Sequence, residues 1–150
     1  MIYFGYEPPE EYDFRISFTV VKEVDCVIQL CSCAGHQFGF CLGTDFGRTA
    51  DIEALNGGRA PGAVKMKDHW LVSGQHYTSV VKVRRTGIDA YVDGKPVVGV
   101  KTDYSNMDIG AFWKLPRGNV VGVGTFRNTI QLDSVEITEI TGEGKLLSSK

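Results

Sequence analysis

At 150 residues the chain fits one domain and is long enough to bury a core. Its 43% hydrophobic and 23% charged residues are those of an ordinary globular protein. A net charge of −2 offers no bulk attraction to nucleic acid or an anionic membrane, and no apolar run approaches the ~20 residues of a membrane span.

The first residues, Met1 to Glu7, hold aromatics but no basic region and no signal-peptide core. That pattern fits either a cytoplasmic protein or a module of a longer chain, and a module is the expectation. Pro8-Pro9 forces an extended approach. Tyr12 to Lys22 then alternates, with Phe14, Ile16, Phe18 and Val20 on one side and Asp13, Arg15, Ser17 and Thr19 on the other, as in a half-buried strand. Asp25 to Gly43 is a hairpin with two possible registers. A two-residue loop puts Phe38 and Phe40 on the face of Gln29 and Cys33. A three-residue loop, Cys33-Ala34-Gly35, puts them with Cys26, Ile28 and Leu30. The second segregates apolar from polar and is the expected one.

Gly43 to Thr49 reads as a turn, Ala50 to Leu55 as a short strand, and Asn56 to Gly62 as a loop. Trp70 to Val72 could open another strand. His76 to Pro96 is the clearest hairpin: a β-branched and aromatic run, a break at Thr86-Gly87, and renewed alternation up to Asp93-Gly94. With Thr86-Gly87 as the turn, Arg84 faces Asp89 and Lys82 faces Tyr91. Val81, Val83, Ala90 and Val92 form the apolar face, and Pro96 to Thr102 pairs back. Asp103 to Gly118 is the longest irregular stretch, and a loop of that length commonly binds something or folds on itself. Asn119 to Phe126 carries glycines at alternate positions. Thr129 to Ile140 alternates again, with a bulge expected near Asp133-Ser134. The turn-rich composition, with 18 glycines, and the run of alternating segments predict an all-β, two-sheet antiparallel β-sandwich over 1–150, its core spanning about 8–144.

The succession of Pro-Pro-Glu, Tyr-Asp-Phe-Arg-Ile-Ser-Phe, Phe-Gly-Phe-Cys-Leu-Gly and His-Tyr-Thr-Ser-Val-Val-Lys-Val-Arg leads into Tyr-Val-Asp-Gly-Lys, Trp-Lys-Leu-Pro, Val-Gly-Val-Gly and Val-Glu-Ile-Thr-Glu-Ile. Together these resemble the concanavalin A-like lectin/glucanase superfamily. The nearest likeness is to laminin-G-like and 3-keto-disaccharide-hydrolase-type domains of environmental bacteria. The resemblance implies a concanavalin A-like jelly roll whose concave sheet often binds glycans. The glucanase Glu-x-Asp-x-x-Glu strand is absent, and Asp51-Ile-Glu53 only shadows it.

Sugars call for planar hydrogen-bonding groups beside a ring that covers their C–H face. Arg15, Gln29, Gln37, Lys82, Arg84, Asp89 and Tyr91 are the candidates on the polar face, with Tyr104 and Trp113 on the long loop. Gly39, Gly122 and Gly124 could leave room for a sugar ring. The competing reading is a solvated face laced by weak pairs, with Trp113 as a plug at the end of the sandwich. His36, His69 and His76 share no metal spacing. Cys26, Cys31, Cys33 and Cys41 lack zinc-knuckle spacing and read as buried free thiols, Cys26 toward the core and Cys31 and Cys41 on the opposite face. Asp133 alone hints at calcium, short of the oxygen count that ion needs. The expectation is a non-catalytic carbohydrate-binding or lectin-like module for an oligo- or polysaccharide, with no cofactor and no metal. The alternatives are a glycoside-processing enzyme using carboxylates among Asp51, Glu53 and Asp89, and a protein-interaction module.

Overall fold

The structure, a computed structural model, describes residues 1–23, 25–54, 58–59, 64–66 and 68–148, with the backbone alone at 54, 58, 59 and 65. Its strands are β1 (Ile2–Phe4), β2 (Tyr6–Glu7), β3 (Glu11–Lys22), β4 (Cys26–Cys33), β5 (His36–Gly43), β6 (Thr49–Ala54), β7 (Gly58–Arg59) and β8 (Val64–Lys65). They continue as β9 (His76–Arg84), β10 (Gly87–Val92), β11 (Lys95–Lys101), β12 (Val121–Phe126), β13 (Thr129–Thr141) and β14 (Lys145–Leu146). One sheet is ordered β1-β12-β4-β5-β6-β7, with β8 also on β6; the other is ordered β11-β10-β9-β3-β13; β14 and β2 form a separate pair. The two-sheet antiparallel sandwich expected from the sequence is what forms. Trp70 to Val72 makes no strand, and the loop expected over Asn56 to Gly62 lies outside the described residues apart from Gly58–Arg59.

The five-stranded sheet follows its alternation. Tyr12, Phe14, Ile16, Phe18 and Val20 of β3, Val81 and Val83 of β9, and Ile88, Ala90 and Val92 of β10 all face the other sheet. The β9–β10 turn is Arg85-Thr86 rather than Thr86-Gly87: Arg84 sits opposite Gly87, Lys82 opposite Asp89, and Val80 opposite Tyr91. Partners slip by two residues, and a slip of two keeps every side chain on its face. Gly87 is needed inside the strand, because a Cβ there would run into the carbonyl of Val100 on β11. At the sheet's edge, β13 shows the expected bulge between Leu132 and Ser134 and further register shifts at Thr129/Ile130 and Glu139/Thr141.

The β4–β5 hairpin overturns the three-residue loop. Cys33 pairs with His36, and Ala34 (φ 51°) with Gly35 (φ 78°) makes a two-residue turn with both residues left-handed, the geometry that matches strand twist. Phe38, Phe40 and Leu42 therefore enter the inter-sheet core beside Val27, Cys31 and Cys33. Cys26, Ile28, Leu30 and Cys41 point out of the sandwich instead. Cys26 is thus not a core-facing thiol, and Cys31, which faces the inter-sheet core, lies on the other face of the sheet from Cys41. Gln29 enters the core too, 1% exposed: its Nε2 donates to Phe14 O at 3.0 Å, and the Ser79 hydroxyl donates to its Oε1. Tyr12 likewise spans the sheets, its hydroxyl donating to Ser32 O at 2.8 Å and accepting from Ser32 N at 3.1 Å.

Every residue of β4 is buried, because residues 102–120 cover its outer face. Ile109, Trp113, Leu115 and Val120 close over Cys26, Ile28, Leu30 and Cys41 as a second apolar cluster. The alternate glycines of β12 make room for this cover and not for a sugar. A Cβ on Gly124 would lie 2.8 Å from Trp113 Cζ3, and one on Gly122 would lie 2.6 Å from Ile2 O of β1 and 3.3 Å from Leu115 Cδ1. The third glycine, Gly39, accommodates Ile28, whose Cγ1 would be 2.8 Å from an added Cβ.

Three outcomes are expected. Phe40→Ala should cost ~3–5 kcal/mol, read by denaturant unfolding, as for a fully buried ring. Gly124→Ala should displace Trp113, lowering stability by ~1–3 kcal/mol and red-shifting the tryptophan emission; an unchanged spectrum would mean the indole does not rest on that strand. Burial pushes the Cys31 and Cys41 thiols well up and Cys33 up to about 11, so reactive thiolate is scarce. All four cysteines are free. A thiol reagent should therefore be slow on the native protein and count four thiols once it is unfolded; a count of two would mean a disulfide.

Candidate functional site

The sequence-derived candidates divide among three places. Arg15, Lys82, Arg84, Asp89 and Tyr91 do share the outer face of the five-stranded sheet. Arg84 is tied down there: Nη2 to Asp13 Oδ1 at 2.8 Å, and Nη1 to the carbonyls of Tyr12 at 3.1 Å and Val83 at 2.9 Å. Its partner is Asp13, not Asp89. Asp89 instead leans over Gly99 of β11, where an added Cβ would be 2.7 Å from its Oδ1. Lys82 Nζ lies 5.0 Å from the centroid of the Tyr91 ring. Arg15 stands between Val80 and Glu136 of the neighbouring strands. The ring is thus already covered by a cation, and Arg84 is held in a half-buried ion pair with Asp13.

Gln29 and Tyr104 are interior. Gln29 bridges the sheets as described. Tyr104 is 1% exposed, its hydroxyl 2.7 Å from Arg84 O and 2.9 Å from Gly87 O, its ring 5.6 Å from that of Phe38. Neither reaches a surface where a glycan could lie. Gln37 is on the outer face of the other sheet, not on the face of Arg84. Its Nε2 donates to Arg117 O at 2.7 Å and its Oε1 accepts from Leu115 N at 3.1 Å, fastening the covering segment. His36 Nδ1, 2.8 Å from Met107 O, fastens it further along. Asp133 is engaged by Thr19 Oγ1 at 3.0 Å, Gln131 Nε2 at 2.8 Å and His76 Nε2 at 3.4 Å. Among the described residues no three acidic, histidine or cysteine side chains are placed to hold a metal ion.

Trp113 leads to a different site. The cover ends short of one end of the seven-stranded sheet and leaves a cavity of about 490 Å³. One wall is aromatic: Trp113, Phe112 and Phe126. Phe112 stands edge-to-face to both neighbours, 4.8 Å from Trp113 at 90° and 5.7 Å from Phe126 at 81°, and is itself 67% exposed. The rest of the cavity's lining is acidic, Asp25, Asp45, Asp51 and Glu53, together with Thr44 and Cys26; Asp51 is itself buried at 1% exposure, while Asp45 is exposed and Asp25 and Glu53 are half-buried.

Local sequence explains each placement. Ala50 and Ile52 of β6 turn into the core, so Asp51 and Glu53 turn outward together. Glu53 Oε2 accepts from Cys41 Sγ at 3.2 Å. Between β5 and β6 the chain makes one helical turn, Thr44–Gly47, in which Asp45 (φ 53°) and Phe46 (φ 59°) are left-handed, a conformation costing about 1–2 kcal/mol per residue. Thr49 Oγ1 donates to Asp45 Oδ2 at 2.9 Å, and Thr44 Oγ1 lies 3.3 Å from Asp51 Oδ2. Asp25 is held through its backbone by Asn128: Asp25 N donates to Oδ1 at 2.8 Å, and Nδ2 donates to Asp25 O at 3.0 Å. Desolvation raises the Asp25 pKa, opposed by the Cys26 thiol, the Phe46 N–H and the charge of Arg127.

This arrangement can cover an apolar ligand face with rings while accepting hydrogen bonds from its hydroxyl or ammonium groups. A larger crevice of about 750 Å³ is lined by Phe4, Tyr6, Val121, Val135, Ile137, Thr138, Glu139 and Leu146. Its single carboxylate, Glu139, already accepts from the Tyr6 hydroxyl and from Gly144 N, each at 2.6 Å. Of the residues framing the acidic cavity, the sequence pointed to Trp113 and, as a weak carboxylate pair, to Asp51 and Glu53.

No protein-family model and no curated protein matches the sequence. Solved structures do match in shape. A carbohydrate-binding module, CBM66, from Bacillus subtilis superposes with a TM-score of 0.58 at 8% identity, over 86% of this chain and 75% of that one. Chicken galectin 2 gives 0.56 at 6% identity, over 91% and 100%. A GH43 protein of Bacillus licheniformis gives 0.56 at 14%, over 88% of this chain but 28% of its own. The sandwich is therefore the concanavalin A-like jelly roll that the strand succession resembled.

Proposed function

We propose that the chain is a non-catalytic glycan-binding module whose sugar lies in the cavity lined by Phe112 and Glu53. The observation that carries this reading is an exposed ring and several carboxylate acceptors lining one open concavity, the two elements a sugar needs. The jelly-roll likeness to a carbohydrate-binding module and to galectins supports it. The outer face with Arg15, Lys82, Arg84, Asp89 and Tyr91 is the competing glycan surface. It is less suited, because Lys82 covers the ring and Asp13 holds Arg84.

A second reading has its own support. Asp51 and Glu53 both line that cavity, Asp51 buried and Glu53 partly exposed, and a carboxylate pair at a sugar is what glycoside cleavage uses. A glycan array followed by titration separates these readings. Phe112→Ala should weaken the best glycan about tenfold or more, while Tyr91→Ala should leave the affinity unchanged. The reverse pattern moves the site to the five-stranded sheet. Release of reducing ends by the parent, lost in Glu53→Gln, would establish the enzyme reading instead.

A further inference from the structure

The charge of the cavity narrows its ligand. Four carboxylates, on Asp25, Asp45, Asp51 and Glu53, line it, and no lysine, arginine or histidine is among the described residues that do. A uronic acid, sialic acid or sulfated sugar would bring a further negative charge into this concavity and be repelled. Phe112, Trp113 and Phe126 complete the lining, and a ring face attracts a cation. Carboxylates and rings lining one cavity form an ammonium site more specifically than a neutral hydroxyl site.

The chain itself shows the preference. Arg127, the residue after β12, sits with its guanidinium carbon 5.2 Å from the Phe126 ring centroid. Its charge also acts on Asp25, favouring the ionised carboxyl against the desolvation that raises its pKa. A cation is therefore already drawn to this corner by one ring and one carboxylate. The rest of the lining pairs the exposed Phe112 with Asp45 and Glu53, the same chemistry with room for a ligand.

Resting on the glycan reading of the cavity, we infer that its ligand is an amino sugar with a free, protonated amine, such as a unit of a β-linked glucosamine polymer. The sugar's C–H face lies on Phe112, and its ammonium donates toward Glu53.

The test is an NMR titration with β-linked glucosamine oligomers, the same oligomers N-acetylated, uronic-acid oligomers, and oligolysine of matched charge, at a pH where the amine is protonated. Binding is followed at the Trp113 indole and the Phe112 ring. The free-amine oligomer should bind about tenfold or more tightly than its N-acetylated counterpart, as expected of a charge-assisted hydrogen bond. Uronic-acid oligomers should not shift these signals. Glu53→Gln should reduce the amine preference several-fold while keeping weak binding and the native spectrum. Equal or tighter binding of the N-acetylated or uronic-acid oligomers, an intact preference in Glu53→Gln, or equal shifts with oligolysine would overturn the inference and leave the glycan reading standing in the first two cases. Silence of these signals toward every oligosaccharide would remove both.

Discussion

The turn at Ala34 and Gly35 has both residues at positive φ, and the closure it makes places Cys33 directly opposite His36. From that one constraint the parity of the β4–β5 hairpin follows. Phe38, Phe40 and Leu42 enter the space between the sheets, and Gln29 enters with them, so the interior must supply partners for an amide. It does so with the Phe14 carbonyl and the Ser79 hydroxyl, both from the opposite sheet. Burying an amide without partners would be costly. The two sheets are therefore joined by directional bonds as well as by apolar contact. The same parity drives Cys26, Ile28 and Leu30 outward, where they need a second layer.

That second layer is the segment 102–120, and its shape determines where a ligand can go. Gln37 and His36 fasten it through its backbone, while Trp113 and Leu115 press onto strand positions where glycine leaves no side chain. A jelly-roll sheet face that could have been an open groove is thus mostly filled by the protein's own side chains. What stays open is the end beyond Trp113, where Glu53 of β6 turns outward and a left-handed turn holds Asp45. The strain of two consecutive left-handed non-glycine residues is stored beside this opening, where special backbone geometry often accompanies function.

How much of this was legible depends on how each strand is buried. The β9–β10 hairpin has one apolar and one polar face, so its alternation fixed which residues point inward even though the turn lay one residue earlier than expected. β4 is buried on both faces, and there the rule of gathering apolar residues together selects the wrong parity, since Ile28 and Leu30 are as buried as Phe38 and Phe40. Ala34 in a left-handed turn gives no compositional warning of the kind Asn-Gly would. The length of the Asp103 to Gly118 stretch and the apolar neighbours of Trp113 did signal a structured segment. The cavity itself was hidden, because Asp25, Asp45, Glu53, Phe112 and Phe126 come from five separated stretches that only the folded sheet brings together. Asp51-Ile-Glu53 was the one local signal, and period-two spacing alone says that two side chains share a face, not what they face.

The outermost strand of the five-stranded sheet, β13, is thirteen residues long, and a free edge of that length is a template for pairing with another chain. Its register is broken at three points, and Asp133, Glu136 and Glu139 give it acidic charge with no basic residue along its length. Two copies laid edge to edge would meet broken hydrogen-bond ladders and like charges. The bulges that interrupt the pattern of Leu132 to Val135 thus act as insulation: they let a long, β-branched strand end the sheet without inviting fibrous growth.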